Sequence, residues 1–150
     1  MKRFRRILHP SDFSPASRPA LAQAIDLAKR DGARLTLVHV MTLPVPIVAE
    51  GYVSPTVWAD LERQMRGHAQ KEMGKLITRA RQAGVRATSV LLEGLPADRI
   101  ARAARRLKAD LIVMGTHGRS GLAKIFLGSV AGRVIATARC PVLTVRGRAS

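Results

Sequence analysis

The chain is poor in cysteine and in aromatic residues. Cys140 is the single cysteine among 150 residues, which excludes an internal disulfide and a metal cluster built on cysteines. Aromatic residues supply only 3% of the sequence while 47% of it is hydrophobic, so the core must be built from Leu, Ile, Val, Ala and Met. Because Cys140 stands just before Pro141 and a strand-like run, a structural role is favoured over a reactive one.

Long apolar runs are missing as well. No stretch approaches the roughly 20 apolar residues that a membrane-spanning helix needs. The basic start, Lys2 to Arg6, resembles the first part of a signal peptide, but Pro10 and Asp12 interrupt the apolar segment that would have to follow. We therefore expect a cytoplasmic protein without membrane contact, folded as one domain over residues 1–150, a common domain size.

Acidic residues are scarce: 10 Asp and Glu face 26 Lys and Arg, for a formal net charge of +16. Such a field attracts polyanions, and association with nucleic acid through net charge is one hypothesis. The basic residues are nevertheless scattered along every predicted helix, with local clusters only at residues 2–6 and 102–108. Neither cluster contains the interleaved aromatics that stack on bases. Specific nucleic-acid recognition is therefore not expected, and an arginine-rich solvated surface is the favoured interpretation.

Hydrophobic periodicity predicts strands alternating with helices. Strands are predicted over residues 5–10, 34–41, 85–92, 110–114 and 141–146. Helices are predicted from Ser14-Pro15 or from Ser17 to residue 31, over 57–83 and 96–107, and from Gly128-Ser129 to about Ala138. Residues 42–56 are expected to be irregular, since they contain three prolines and a glycine.

This alternation favours a doubly wound parallel sheet with helices on both faces. Ligands of such sheets bind beyond the carboxyl ends of the strands, at the point where the strand order reverses. Asp12 follows the first predicted strand, and a glycine-rich segment follows the fourth. The two would meet if the first and fourth strands are neighbours.

The glycine-rich segment has the spacing Gly115-x2-Gly118-x9-Gly128-Ser129. It is neither the Walker A motif, since no Gly-Lys-Ser/Thr occurs, nor the dinucleotide fingerprint. A phosphate could accept bonds from the N–H groups of Gly118, Ser129 and Val130 and from the Ser129 hydroxyl. Alternatively, the glycines only serve turns and Ser129 only caps a helix. Spacing alone leaves both interpretations open.

The chain resembles the universal stress protein family almost from end to end. The resemblance lies in residues 7–14 (ILHPSDFS), 37–40 (LVHV), 110–119 (DLIVMGTHGR), 127–131 (LGSVA) and 140–145 (CPVLTV). The complete G-x2-G-x9-G-S/T pattern resembles the ATP-binding branch of that family. The resemblance implies a single Rossmann-like domain of the adenine nucleotide alpha hydrolase-like type, with a five-stranded parallel sheet. It also implies a homodimer through the last strand, Pro141 to Val145.

By the same resemblance, the ligand would be ATP, alone or with Mg²⁺, at the point where the strand order reverses. Asp12 and the backbone of Val40 would contact adenine, and Gly115 would lie by the ribose. The phosphates would be held by Gly118, Gly128, Ser129 and Val130, with Pro10, Met114, His117 and Arg119 nearby.

Several of these residues have a purely structural alternative. Val40 and Met114 suit strand-core packing, and Asp12 could be a capping carboxylate ahead of Ser14. His9 and His39 are more typical of packed strand histidines than of ligands.

Three functions remain in view: a nucleotide-dependent regulatory module of the stress response, an ATP-hydrolysing or phosphoryl-transfer enzyme, and a basic nucleic-acid-binding protein. Hydrolysis needs a group that orients water and usually a carboxylate that fixes Mg²⁺. Residues 115–138 contain no Asp or Glu, and Asp12 is assigned to the base. We therefore predict ATP binding with at most slow turnover and assign no catalytic residue.

Overall fold

A computed structural model describes residues 2–43, 53–117 and 127–147. Within these residues, five strands and four α-helices alternate. They are β1 (Arg6–Pro10), α1 (Arg18–Asp31), β2 (Arg34–Met41), α2 (Pro55–Gln82), β3 (Arg86–Glu93), α3 (Pro96–Arg106), β4 (Leu111–Gly115), α4 (Ser129–Thr137) and β5 (Val142–Val145). A 3-10 turn, Pro15–Ser17, leads directly into α1.

The strands form one parallel sheet in the order β3-β2-β1-β4-β5. β1 is central: its Ile7 lies opposite Leu35 of β2 on one side and Leu111 of β4 on the other. The strand order reverses between β1 and β4, which are neighbours, as the predicted meeting of Asp12 with the glycine-rich segment requires. The expected fold class, a five-stranded Rossmann-like sheet, is confirmed.

Each face of the sheet is covered by two helices because successive strand side chains point to opposite faces. Ile7, Leu35 and Val113 pack in one core with apolar residues of α1 and α2. Leu8 and Ile112, one residue further along their strands, pack in a second core with α3 and α4. Both faces of β1 and β4 are therefore buried, which explains their unbroken apolar sequences.

Local signals set the element ends. Gly32 ends α1 in the left-handed conformation, with φ +67°, which glycine adopts without strain. α2 begins at Pro55 rather than at the predicted residue 57, because the Ser54 hydroxyl accepts a bond from the Val57 N–H at 3.3 Å. At the start of α1, Ser14 precedes the 3-10 turn and Ser17 precedes the helix, but neither side chain makes a capping hydrogen bond to the described residues.

The apolar spacing of the last helix predicts that Ile135 faces the core, and the structure differs. Ile135 shares its helical spacing with Ala131 and Val134, yet it is 46% exposed while those two are buried. It lies at the edge of the apolar side of α4, where only a narrow face meets the sheet.

Of the predicted irregular segment 42–56, residues 44–52 lie outside the described part of the chain. No helix in the described segments is long and apolar enough to cross a membrane.

Candidate functional site

A cleft of about 550 Å³ opens beyond the carboxyl ends of the central strands. Its walls come from the ends of β1, β2 and β4, the starts of α3 and α4 and the middle of α2. Nine residues predicted for the site line this cleft: Pro10, Asp12, Val40, Met114, Gly115, His117, Gly128, Ser129 and Val130. The other two, Gly118 and Arg119, lie outside the described residues.

The turn after β1 positions Asp12 in the wall of the cleft. The Ser14 N–H donates to Asp12 Oδ1 at 2.9 Å, so this carboxylate does cap the following turn, as the structural alternative held. Ser11 ties the turn to β2 through its N–H, which donates to Val38 O at 2.8 Å. Phe13 adopts φ +64°, a conformation that side chains other than glycine rarely take. A capping role and a place in the cleft wall are thus compatible for Asp12.

A group of rings lies at the β2 side of the cleft. Phe13 stacks on His39 with ring centroids 4.1 Å apart, and His68 of α2 meets Phe13 edge-on at 6.3 Å. His39 Nδ1 donates to Ser11 O at 2.7 Å. His39 therefore packs, as expected of a strand histidine, but all three rings also line the cleft. Sequence reasoning missed Phe13 and His68 as cleft residues; helical spacing carried no signal that α2 passes over this end of the sheet.

On the opposite side of the cleft, next to β4, the backbone at Gly128 lies close to the backbone at Thr116. The Gly128 N–H donates to Thr116 O at 2.6 Å. A Cβ at Gly128 would lie 2.8 Å from the same oxygen, so no larger residue fits there without a shift of the backbone. Gly128 is also the residue that precedes α4, and Ser129 is the first residue of the helix. The interpretation of Ser129 as a helix cap is therefore wrong, since Gly128 occupies that position.

The start of α4 carries partial positive charge that can attract an anionic ligand. The first N–H groups of an α-helix have no acceptor within the helix, and the helix dipole adds partial positive charge there. Ser129 and Val130 carry such N–H groups and line the cleft. Among the described lining residues, Asp12 is the sole carboxylate. In the same part of the chain no three His, Cys, Asp or Glu side chains are grouped to hold a metal ion. The cleft is therefore suited to an anion with an apolar or aromatic portion.

His9 lies behind this cleft, fully buried on β1. Its Nδ1 donates to Val113 O at 2.8 Å, so the neutral ring carries its proton on Nδ1. Among the described residues, Nε2 is buried with no hydrogen-bond partner. Burial lowers the pKa of His9 to about 4, against smaller raising effects of the Val113 bond and of the nearby Asp12 charge. His9 is thus a neutral core histidine, as expected from its place on the strand.

The chain matches the model of the universal stress protein family over residues 3–146. It is similar to universal stress protein MJ0531 of Methanocaldococcus jannaschii, with 39% identity, covering 95% of this chain and 82% of that protein. Its fold is similar to that of protein MJ0577 of the same organism, with a TM-score of 0.85, 26% identity and coverage of 99% and 100%. A universal stress protein solved in complex with cAMP is similar in fold, with a TM-score of 0.71, 23% identity and coverage of 98% and 100%.

Burial of His9 predicts a pH-dependent stability. In the unfolded chain its pKa is near 6.5 and in the folded chain about 4, so the unfolded state binds more protons between these values. The His9 contribution to the free energy of unfolding is complete above pH 6.5. It should fall by about 3 kcal/mol as the pH drops to 4.

Urea unfolding across this pH range, compared with His9→Asn, measures that contribution, because Asn can still donate to Val113 O but does not titrate. Gln70→Asn, at an exposed position of α2 that does not titrate, is the control, and its free energy of unfolding should depend on pH as that of the wild type does. If the free energy of unfolding depends on pH equally in the wild type and in His9→Asn, the pH dependence does not come from His9.

Proposed function

This chain belongs to the universal stress protein family, and on that premise we propose that it is an ATP-binding regulatory module of the stress response. Occupancy of the cleft by ATP would set which partners the protein contacts. The observation that carries the proposal is the convergence of nine predicted site residues on one cleft at the point where the strand order reverses. Ligands of open α/β sheets bind at this point.

The phosphate end of ATP is assigned to the start of α4. Gly128 brings the chain within 2.6 Å of Thr116 O, and the N–H groups of Ser129 and Val130 follow on the first turn of the helix. Such helix starts bind phosphate through free N–H groups and the helix dipole. With Asp12 the sole described carboxylate in the cleft wall, a Mg²⁺ ion would be held mainly by the phosphate oxygens of ATP.

The base end is assigned to the side of β1 and β2. Asp12 and the backbone of Val40 would contact adenine, with Pro10 beside them and Gly115 by the ribose. Phe13, held by its stack on His39, adds an aromatic surface to this end. The structural relative solved in complex with cAMP supports an adenine nucleotide as the ligand class to test.

The glycine before α4 offers a matched test of this assignment. In Gly128→Ala the new Cβ would meet Thr116 O at 2.8 Å, so the backbone at Gly128 must shift, and the adjoining Ser129 and Val130 N–H groups assigned to the phosphates would be displaced. We expect ATP affinity to fall by about tenfold or more, which corresponds to about 1.4 kcal/mol.

Gly132→Ala is the control within the same helix. Its Cβ would meet only Leu127 Cδ2 at 3.8 Å among the described atoms, an ordinary contact. Calorimetric titration with ATP should give wild-type affinity for this variant. Equal affinities for both variants, each shown to be folded by circular dichroism, would remove Gly128 from the phosphate site.

An ATP-hydrolysing or phosphoryl-transfer enzyme is the second candidate. Residues 115–138 carry no Asp or Glu, and the Asp12 carboxylate already accepts a bond from the Ser14 N–H. We therefore expect phosphate release in a single-turnover assay with labelled ATP to be far slower than about 1 s⁻¹, the lower end of ordinary enzyme rates. Release at enzyme-like rates, abolished by Asp12→Asn, would favour the enzyme instead.

The expected assembly is a homodimer through residues 141–145. β5 is the last strand of the sheet on its side, and Leu143 is 37% exposed there. Bare strand edges pair readily with another chain. Sedimentation of the 16.3-kDa chain should give twice that mass, and Leu143→Lys should shift it toward the monomer. Leu95→Lys, at a leucine that is 65% exposed, is the control. A wild-type monomer at micromolar concentration would refute the dimer.

A further inference from the structure

Three arginines lie side by side at the end of the sheet opposite the cleft. Arg6, Arg34 and Arg86 are the first residues of β1, β2 and β3. The register places Arg6 opposite Arg34 and Arg34 opposite Arg86, so neighbouring backbones are about 4.8 Å apart. Arg81, near the end of α2, joins them: Arg34, Arg81 and Arg86 together line a shallow depression of about 490 Å³. We call these four residues the basic face.

The positive charge of the basic face is not balanced by carboxylates. All four side chains are exposed, and no ion pair involves them among the described residues. Three of them donate instead to backbone carbonyls. The acceptors are Lys108 O for Arg6 at 3.5 Å, Ala87 O for Arg81 at 3.1 Å and Gly32 O for Arg86 at 3.1 Å. These bonds orient the guanidinium groups without neutralising them.

Two carboxylates close to the strand starts, Asp110 and Asp31, are already engaged. Asp110 accepts the N–H groups of Arg5 and Arg6, at 2.8 and 3.0 Å. Asp31 accepts the Phe4 N–H at 2.9 Å and pairs with Arg30. Each carboxylate therefore joins elements of the fold, and neither pairs with a side chain of the basic face.

The topology adds further charge around this face. In a parallel α/β sheet the helix C-termini lie at the same end as the strand starts. Exposed basic residues occupy the last turns of three helices: Lys29, Arg30, Arg79, Arg81, Arg105 and Arg106. The helix dipole accounts for these positions. It does not account for Arg6, Arg34 and Arg86, which stand at strand starts, where like charges in register destabilise a sheet.

We propose that the basic face binds the phosphate backbone of nucleic acid without reading its sequence. The planar guanidinium group matches phosphate oxygens in two-pronged hydrogen bonds, and a row of such groups suits a row of phosphates. The face contains no aromatic residue for base stacking, so its affinity is electrostatic and its slope against salt is steep. This activity is additional to the proposed function and uses the opposite end of the sheet.

An anionic lipid surface is the competing partner, and the exposed residues disfavour it. Peripheral membrane binding combines basic residues with apolar side chains that enter the lipid. The large apolar side chains exposed in the described part of the chain are Val53, Val57, Leu95, Leu127, Ile135 and Leu143. None of them belongs to the starts of β1, β2 and β3 or to the last turns of α1, α2 and α3. Ile135 lies in the last turn of α4 and Leu143 in β5, the strand at the opposite edge of the sheet from β3.

Fluorescence anisotropy with short labelled duplexes of unrelated sequence, titrated over a range of salt, tests the proposal. The variant Arg6→Gln/Arg34→Gln/Arg86→Gln removes three phosphate contacts. The slope of the logarithm of its binding constant against the logarithm of the salt concentration should therefore be shallower by about 3. The control Lys71→Gln/Arg99→Gln/Arg133→Gln changes the net charge equally at exposed positions elsewhere and should keep the wild-type slope. Arg86→Gln alone should lower the slope by about 1, which provides the same test if the triple variant does not fold.

Three results would overturn the proposal. The first is no duplex binding by the wild type at low salt. The second is an equal loss in both triple variants, which would assign binding to net charge alone. The third is an effect of the basic-face variant on phosphatidylserine vesicles but not on duplexes, which would assign the face to membranes. Unchanged ATP affinity in the triple variant would show that the cleft at the other end is intact.

Discussion

The parallel pairing of β1 with β4 is the constraint on which the rest of the molecule depends. Ile7 pairs with Leu111 and Leu8 with Ile112, and these residues lie in the two opposite cores. Because both strands run in the same direction, the Asp12 turn and the segment after Gly115 leave the sheet at the same edge. The reversal of strand order at this pair leaves a gap between the flanking connections, and the cleft occupies it.

Because all the strands run in the same direction, the two proposed binding sites lie at opposite ends of the sheet. The carboxyl ends of the strands meet the start of α4, whose free N–H groups favour an anion. The amino ends carry the row Arg6, Arg34 and Arg86 together with the basic helix ends. A nucleotide at one end and a polyanion at the other would therefore contact separate residues. Each of the two proposals can fail without the other.

Much of the fold could be predicted from the sequence because its signals are local. The apolar run of β2 predicted residues 34–41, which are the residues of that strand in the structure. Gly32 ended α1 as a glycine in the left-handed region does. The start of α2 was predicted two residues late, since the apolar spacing begins after the Ser54 cap and Pro55.

The parts of the site that escaped prediction depend on contacts between distant segments. Phe13, His39 and His68 come from three elements, and only the packing of α2 over the sheet brings their rings together. The basic face was described from the sequence as scattered charge because Arg6, Arg34 and Arg86 are far apart in the chain. Strand register, which periodicity does not specify between distant strands, places them in one row. Gly118 and Arg119 remain predictions from the motif alone.

The central claim is that the cleft holds ATP. The most direct measurement is to denature freshly purified protein, identify the released small molecules by mass spectrometry, and titrate the emptied, refolded protein with ATP by calorimetry. We predict that an adenine nucleotide is released, or that the empty protein binds added ATP with one site per chain. A protein that releases no nucleotide and also gives no binding heat with ATP would contradict the account.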